Sequence, residues 1–211
     1  MPNNEISFNF TISQKIYMIF KRLFDIILSF IALILLSPLI IIVSVLIKLT
    51  STGPVIFSQE RIGKNEKMFR VYKFRSMYKE APKNTATGDL ENPDLHITKV
   101  GKILRITSID EIPQLFNVLK GDMSLIGPRP IIPEEVEVYQ LRKKNNVYAI
   151  VPGITGLAQV NGRDFLDPER KVKYDTDYLK NISLKMDLSI IFKSIVVVFS
   201  HADFFEGKIN R

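Results

Sequence analysis

The stretch IALILLSPLIIIV, residues 31–43, bears more directly on the fold than any other part of the chain. It is entirely apolar except for Ser37 and Pro38 at its middle. Proline has no backbone N–H and its ring collides with the preceding helical turn, so Pro38 interrupts a helix here. In a soluble core the stretch would form two packed elements joined at a kink. In a membrane it would mark the point where a helix bends or turns back.

The uncharged run around this break is long enough, as a single helix, to cross the hydrocarbon core of a membrane. It extends over 22 residues, from Ile26 to Ile47, with Lys21 and Arg22 before it and Lys48 after it. As one helix it would measure about 33 Å, and a bilayer core measures about 30 Å. We see no small-residue cleavage pattern behind it, so we expect no removed signal peptide.

Three arrangements of this run stay open from the pattern alone: one kinked spanning helix, a re-entrant hairpin, or a buried soluble helix. Split at Ser37-Pro38, the arms would be about 18 and 15 Å long and would each reach only halfway across. Basic residues flank both ends of the uncharged run, as is typical of segments on the cytoplasmic side of a membrane. A hairpin would keep both of these ends on that side. Pro38 frees backbone carbonyls, and we expect the Ser37 hydroxyl to help satisfy them.

Composition narrows the class of protein without choosing a partner. The chain has 211 residues, 46% hydrophobic, with no cysteine and a formal charge of +7. The lack of cysteine excludes disulfide frameworks, thiolate zinc sites and cysteine nucleophiles. The basic excess is compatible with nucleic acid, anionic lipid or phosphorylated small molecules. We find no P-loop, dinucleotide fingerprint or zinc-protease motif.

The remaining chain reads as a strand pair followed mainly by helices. Residues 55–74, VIFSQERIGKNEKMFRVYKF, predict two short strands around a turn at 63–65. Residues 79–98 have the composition of a long loop. Proline near the start and glycine after the end predict a helix at IPQLFNVLKG, and a second helix follows at IPEEVEVYQLRKK. Residues 165–200 read as mostly helical.

Two adjacent acids, Asp110 and Glu111, are the candidate catalytic residues. They lie in RITSIDEIPQ at the start of a predicted helix, whose positive end would hold both ionised. An ionised aspartate beside phosphate-binding cations can attack phosphorus, and its neighbour can hold a divalent metal or handle a proton. The alternative is ordinary helix capping, since acids are common at helix starts.

Several cations could bind phosphate. Arginine forks match phosphate oxygens, and a fixed loop aims them at low entropic cost. Arg129 departs furthest from an ordinary surface cation because two prolines brace it in GPRP. The other candidates are Lys73, Arg75, Arg105 and Arg163.

These residues together suggest a basic, membrane-bound domain that performs phosphate chemistry on a lipid-facing substrate. Two other classes stay open. One is a non-catalytic, membrane-tethered module that binds anionic lipid or nucleic acid through its arginines. The other is a membrane-bound phosphatase that uses the same aspartate.

Four motifs together resemble the monotopic phosphoglycosyl transferases, the bacterial sugar transferase family that begins glycan assembly on a polyprenol carrier. They are the Ser37-Pro38 break, YKFRSM, SIDEIPQLFNVLKGDMSLIGPRP and PGITGLAQVNGR. Each motif is weak alone, but their order and spacing are highly specific. The resemblance runs from Lys21 to about Phe199.

The resemblance implies a mixed α/β, mostly helical fold. Residues 1–20 would be an N-terminal extension, and residues 21–48 a re-entrant helix-break-helix hairpin in the bacterial inner membrane. Residues 49–211 would form a small catalytic domain on the cytoplasmic face, with interfacial amphipathic helices and a short β-hairpin. Membrane lipids, downstream glycosyltransferases and a second copy of the chain are implied as partners, and nucleic acid is not.

The resemblance also implies a two-step reaction. Asp110 would attack the β-phosphate of a UDP-sugar and release UMP, and the phosphosugar would then pass from the aspartate to undecaprenyl phosphate. Glu111, with Asp110, would bind Mg²⁺. Lys73, Arg75 and the arginines at 105, 129 and 163 would surround the phosphates, together with Gln159. Asp187 matches a recurrent acidic position whose role the resemblance does not define.

Overall fold

The computed structural model describes residues 8–82, 95–162 and 166–200, with side chains described as far as residue 197. Most of the predicted loop at 79–98 and Arg163 therefore lie outside the described residues. The helices are α1 (Ile12–Leu35), α2 (Ser37–Thr50), α3 (Lys99–Ile106), α4 (Gln114–Lys120), α5 (Val136–Lys144), α6 (Pro168–Lys180) and α7 (Leu184–Ser200). The strands are β1 (Ile56–Ile62), β2 (Met68–Phe74), β3 (Ser124–Ile126) and β4 (Gly153–Thr155).

The helix break lies where the sequence predicts it. α1 ends at Leu35, α2 begins at Ser37, and their axes bend by 62°. Pro38 has no N–H to offer the carbonyl of Ile34, and the Ser37 hydroxyl donates to that carbonyl instead at 2.8 Å. Among the described residues, no single helix is long and apolar enough to cross a membrane, whereas α1 and α2 together meet that test.

α1 is polar on its inner face and apolar on its outer face. It begins at Ile12, where Thr11 and Gln14 form a capping box, and so starts before residue 21. Its buried residues are Lys21, Asp25 and Ser29, which recur every fourth residue on one face. Most of its other residues are large and apolar, and many of these are exposed, as are many on α2. This pattern is the reverse of an ordinary surface helix, which buries its apolar stripe.

The β-hairpin confirms the predicted strand pair. β1 and β2 are antiparallel, with Phe57 opposite Lys73 and Arg61 opposite Phe69. Successive side chains of a strand alternate between faces. On one face of β2, Phe74 is fully buried against Val43 and Ile47 of α2. The other face carries Lys73 towards the candidate site.

Helices α4 to α7 lie where helices were predicted, whereas α3, β3 and β4 were not predicted. The packing of these elements forms the platform for the site. α4 ends at Lys120, and the next residue, Gly121, has the left-handed conformation (φ 93°) common after a helix. β3 and β4 pair in parallel, and Tyr178 and Leu179 of α6 and Ile190 of α7 form a core beside them.

Candidate functional site

Asp110 and Glu111 lie in a short 3₁₀ turn, Ile109–Glu111, between α3 and α4. Ser108 precedes them in the left-handed conformation (φ 53°), which is uncommon for a residue with a side chain. Asp110 is 7% exposed. The turn therefore holds one acid almost completely inside the protein and the other beside it.

Three cations from three separate segments face this pair. Lys73 of β2 donates to Oε1 of Glu111 at 2.7 Å, and Arg129, after β3, reaches the same oxygen at 3.2 Å. Arg105, in the last turn of α3, lies near enough to favour the charged form of Asp110 and also donates to the Ser76 hydroxyl at 3.1 Å. The site thus concentrates positive charge around two carboxylates.

The turn that bears Asp110 lies before the helix whose positive end was expected to hold this carboxylate ionised. α4 begins only at Gln114 and is seven residues long, so its dipole is a weak influence at Asp110. Burial raises the pKa of the Asp110 carboxyl, and the cations Lys73, Arg105 and Arg129 oppose that rise. Its charge state depends on tertiary burial and neighbouring cations.

Lys73 is positioned by a buried amide that the sequence did not single out. Asn117 of α4 is fully buried; its oxygen accepts the N–H of Tyr72 at 3.0 Å and its nitrogen donates to the carbonyl of Arg70 at 2.7 Å. These bonds satisfy the open edge of β2 as a further strand would. They fix β2 against α4 and so place Lys73 beside Glu111.

Arg129 is held by its backbone. The buried guanidinium of Arg142 donates to the Arg129 carbonyl at 2.7 Å and makes two further bonds, of 2.9 and 2.7 Å, to Asp175. Together with Pro128 and Pro130, this contact fixes the segment that carries Arg129. Arg129 is therefore a braced site residue, as its two prolines predicted.

The other predicted phosphate ligands occupy different places. Arg75 donates to the carbonyl and hydroxyl of Ser51, at the end of α2, and so ties the helix pair to the strand that bears Lys73. Gln159 is buried, and neither atom of its amide has a partner among the described residues. It lies beside Gly156, where any Cβ would collide with the Gly127 carbonyl at 2.1 Å.

Sequence reasoning missed Arg61. It lies on the same face of the hairpin as Lys73, and a small cavity between it, Lys73 and Arg129 is also lined by Gln59 and Gln114. Burial and the nearby charge of Arg129 lower the pKa of the Arg61 guanidinium to about 10, so it stays protonated at neutral pH. Strand alternation together with the hairpin register would have placed it there.

Asp187 lies apart from the cations around Asp110. It is buried and accepts hydrogen bonds from Tyr17 (2.7 Å) and Lys21 (2.7 Å) of α1 and from Tyr178 (2.8 Å) of α6. It therefore joins α1, α6 and α7 at one point. This contact is a structural reason for an acid at that position.

The two acids fit Mg²⁺ in a limited sense. Among the described residues, no group of three or more His, Cys, Asp or Glu side chains could hold a metal. Mg²⁺, however, is commonly bound by one or two carboxylates together with water and substrate phosphates. Asp110 and Glu111 meet that requirement only when a phosphorylated substrate supplies the remaining ligands.

Comparison with known proteins identifies the family. The sequence model of the bacterial sugar transferases matches residues 16–201. The chain belongs to this family of bacterial sugar transferases. The match begins five residues before Lys21, within α1, and covers every site residue described above.

Relatives of this sugar transferase differ in length, and two of those below differ in the sugar that their names specify. A UDP-glucose:undecaprenyl-phosphate glucose-1-phosphate transferase of Klebsiella pneumoniae is 43% identical over 93% of this chain and 42% of its own length. A UDP-N-acetylgalactosamine-undecaprenyl-phosphate N-acetylgalactosaminephosphotransferase of Aeromonas hydrophila is 44% identical over 89% and 45%. The exopolysaccharide production protein ExoY of Sinorhizobium fredii is 37% identical over 84% of both chains. The sugar transferase spans less than half the length of the first two relatives.

Proposed function

We propose that this chain transfers a sugar-1-phosphate from a UDP-sugar to undecaprenyl phosphate and releases UMP. The observation that carries the proposal is the buried Asp110 and its neighbour Glu111 among Lys73, Arg105 and Arg129. Such an arrangement brings phosphates close to a carboxylate of like charge. The names of the relatives from Klebsiella and Aeromonas support this reaction class.

The reaction proceeds in two steps through a covalent aspartyl phosphosugar. An oxygen of Asp110 forms a bond to the β-phosphorus, and the bond from that phosphorus to the bridging oxygen breaks and releases UMP. The phosphate oxygen of the polyprenol then attacks the same phosphorus and frees Asp110. Lys73, Arg105 and Arg129 stabilise the charge on the phosphates in both steps.

Mg²⁺ is the proposed cofactor, held by Glu111 and Asp110 together with the donor phosphates. When bound it reduces the negative charge on the diphosphate. The protein's own contribution is to hold the two carboxylates in one turn and to keep Glu111 oriented by Lys73 and Arg129. Gln159 and Arg163 are proposed further donor ligands on the strength of the family motif.

The helix pair is proposed to be a re-entrant hairpin in the bacterial inner membrane, with the catalytic part on the cytoplasmic face. The support is the outward apolar surface of α1 and α2, the 62° bend at Ser37-Pro38 and the basic flanks. α7, which exposes Leu188 and Phe192, would lie at the interface. Membrane lipids are thus expected partners, downstream glycosyltransferases and a homodimer remain proposals, and we expect no nucleic-acid partner.

The decisive experiment is incubation of the purified protein with UDP-sugars. We expect UMP release and a gain in protein mass equal to one phosphosugar, followed by its transfer to undecaprenyl phosphate. Asp110→Asn should lower UMP release by a factor of at least 1,000, because the amide cannot act as the nucleophile. Full UMP release by this variant would refute the assignment, and release of free phosphosugar without transfer would identify a phosphatase.

Glu111→Gln tests the metal proposal. Loss of one carboxylate should raise the Mg²⁺ concentration for half-maximal UMP release about tenfold or more. Glu60→Gln is the matched control, because Glu60 is an exposed strand residue that pairs only with Arg70 in the described structure. An unchanged Mg²⁺ titration in Glu111→Gln would exclude Glu111 as a metal ligand.

The sugar is best identified with a donor panel. Relatives at 43–44% identity carry names that specify glucose, N-acetylgalactosamine and galactose, so overall similarity does not select one. Mass spectrometry of the lipid product from each UDP-sugar would identify the donor. The glycan that follows, whether capsule, O-antigen, exopolysaccharide or glycoprotein, depends on that sugar and on later enzymes.

A further inference from the structure

A second, larger cavity opens next to the carboxylates. Its volume is about 590 Å³, within the usual range for ligand sites. It lies between α1 and α7, with α4, β3 and β4 beneath it. Most of its lining is apolar: Phe24, Leu28, Ile112, Leu115, Leu125, Ile126, Ile154, Leu184, Leu188 and Ile191.

Apart from Glu111, the charged groups that line this cavity are Lys21, Asp25 and Asp187, and each has a partner within the protein. Lys21 is paired with Asp187 at 2.7 Å, and Asp25 accepts the N–H of Leu125 at 3.1 Å. All three side chains are at least nine-tenths buried. The walls from α1 and α7 are by contrast accessible, since Phe24 and Leu184 are more than half exposed. An occupant therefore meets hydrocarbon along most of the cavity.

Ser108 and Glu111 also line this cavity. Glu111 is the carboxylate held by Lys73 and Arg129, so the apolar space continues directly into the cation cluster. The site thus joins a polar part suited to phosphate and an apolar part suited to a hydrocarbon chain. Both parts meet at the turn that bears Asp110.

We infer that the cavity holds the first isoprene units of the acceptor's polyprenyl chain, with the acceptor phosphate beside Asp110. This inference rests on the proposed function. A UDP-sugar is too polar for these walls, and a charged peptide would find no free partner among the described lining residues. A polyprenyl phosphate matches both parts, because its charge is confined to one end. The later isoprene units of the acceptor leave the cavity through the opening between α1 and α7.

A tryptophan in the groove tests this assignment. Ile191 lines the cavity and is 38% exposed, so Ile191→Trp fills space without disturbing the core. We expect at least a tenfold rise in KM for undecaprenyl phosphate and an unchanged single-turnover release of UMP. Val196→Trp is the matched control: Val196 is an exposed apolar residue of α7 that is not part of the lining, and both constants should stay at wild-type values.

Photolabelling gives an independent measurement on the unaltered protein. A polyprenyl phosphate with a diazirine on its first isoprene units should label α1 and α7, and undecaprenyl phosphate should compete with it. Labelling elsewhere, equal competition by phosphatidylglycerol, or a wild-type KM in Ile191→Trp would overturn the inference. Failure of the proposed function has a different signature, since wild-type protein would then release no UMP from any UDP-sugar.

Discussion

At the residue scale, the burial of Asp110 that would serve the proposed reaction carries a cost in stability. Burial raises its pKa above that of an aspartate in the unfolded chain, so the ionised form is destabilised in the folded protein. The same burial keeps water away from the carboxylate and strengthens its interaction with the cations around it. Active sites commonly sacrifice stability in this way.

Replacement of this charge should stabilise the fold. Above the ordinary aspartate pKa, the unfolded chain carries an ionised Asp110 without penalty, whereas the folded state bears the cost of burying this residue. Asp110→Asn should therefore raise the melting temperature at pH 8 in buffer without divalent metal. The gain should disappear as the pH falls below the ordinary aspartate pKa of about 3.9, where the carboxyl is protonated in both states. A lower melting temperature at pH 8 would contradict the pKa direction.

The ion pair of Arg142 with Asp175 should contribute far more than an exposed pair. Both side chains are at most 2% exposed, and removal of one partner leaves a buried charge uncompensated. Asp175→Ala should lower the free energy of unfolding by about 3–5 kcal/mol. It should also raise KM for the UDP-sugar, because Arg142 positions Arg129.

The exposed pair between Glu60 and Arg70 provides the comparison. Its side chains are 62% and 66% exposed, and Glu60→Ala should cost less than about 1 kcal/mol. Chemical denaturation of both variants measures the difference. Equal losses of stability would show that the Arg142–Asp175 pair is not the buried contact described above.

At the element scale, the helix break depends on two adjacent side chains. Pro38 removes the N–H that the Ile34 carbonyl would have accepted, and the Ser37 hydroxyl occupies that acceptor. The open carbonyl is thereby satisfied where no water would be present in a membrane. The break is thus a stable local structure.

Loss of the break should convert the hairpin into a single helix. In the double variant Ser37→Leu and Pro38→Leu, the backbone bond to Ile34 can form and the apolar run can continue as one helix. The chain has no cysteine, so single cysteines at Thr11 and Thr52 report each end separately. We expect both to be labelled from the same side of the membrane in wild type and from opposite sides in the variant. Opposite sides in wild type would exclude a re-entrant hairpin.

The β-hairpin illustrates how an element acquires function through its neighbours. Its strands follow from alternating side chains and a polar turn, which are local properties. Its placement depends on Asn117 of α4, which bonds the edge of β2. Without that contact Lys73 would still lie on a strand, but it would have no fixed relation to Glu111.

At the scale of the whole molecule, apolar surface is concentrated on α1, α2 and α7. An exposed apolar area of this extent is unusual for a soluble monomer and marks a surface that contacts lipid or another protein. Around the site the surface is cationic instead, with Lys73, Arg61 and Arg129 close together. The large cavity lies where these two kinds of surface meet.

The extent of successful sequence prediction differs between the fold and the site. The helix break, the hairpin, α4, α5 and the late helices were predicted because each has a local signal such as proline, glycine or residue alternation. Arg129 was predicted from its two prolines. Asn117 and Arg142 were not, since a buried polar residue has no local signature until the segments that it joins are known.

By itself the sequence determined the break at Ser37-Pro38, the β-hairpin, helices α4 and α5, the helical region of α6 and α7, and the adjacent pair Asp110-Glu111. These features depend on covalent geometry and near-neighbour interactions, which are present before the chain folds. Tertiary structure alone decided the raised pKa of Asp110, the convergence of Lys73, Arg105 and Arg129, and the apolar cavity beside Glu111. Desolvation and Coulomb interaction depend on distance in space, and only packing brings residues far apart in the chain within that distance.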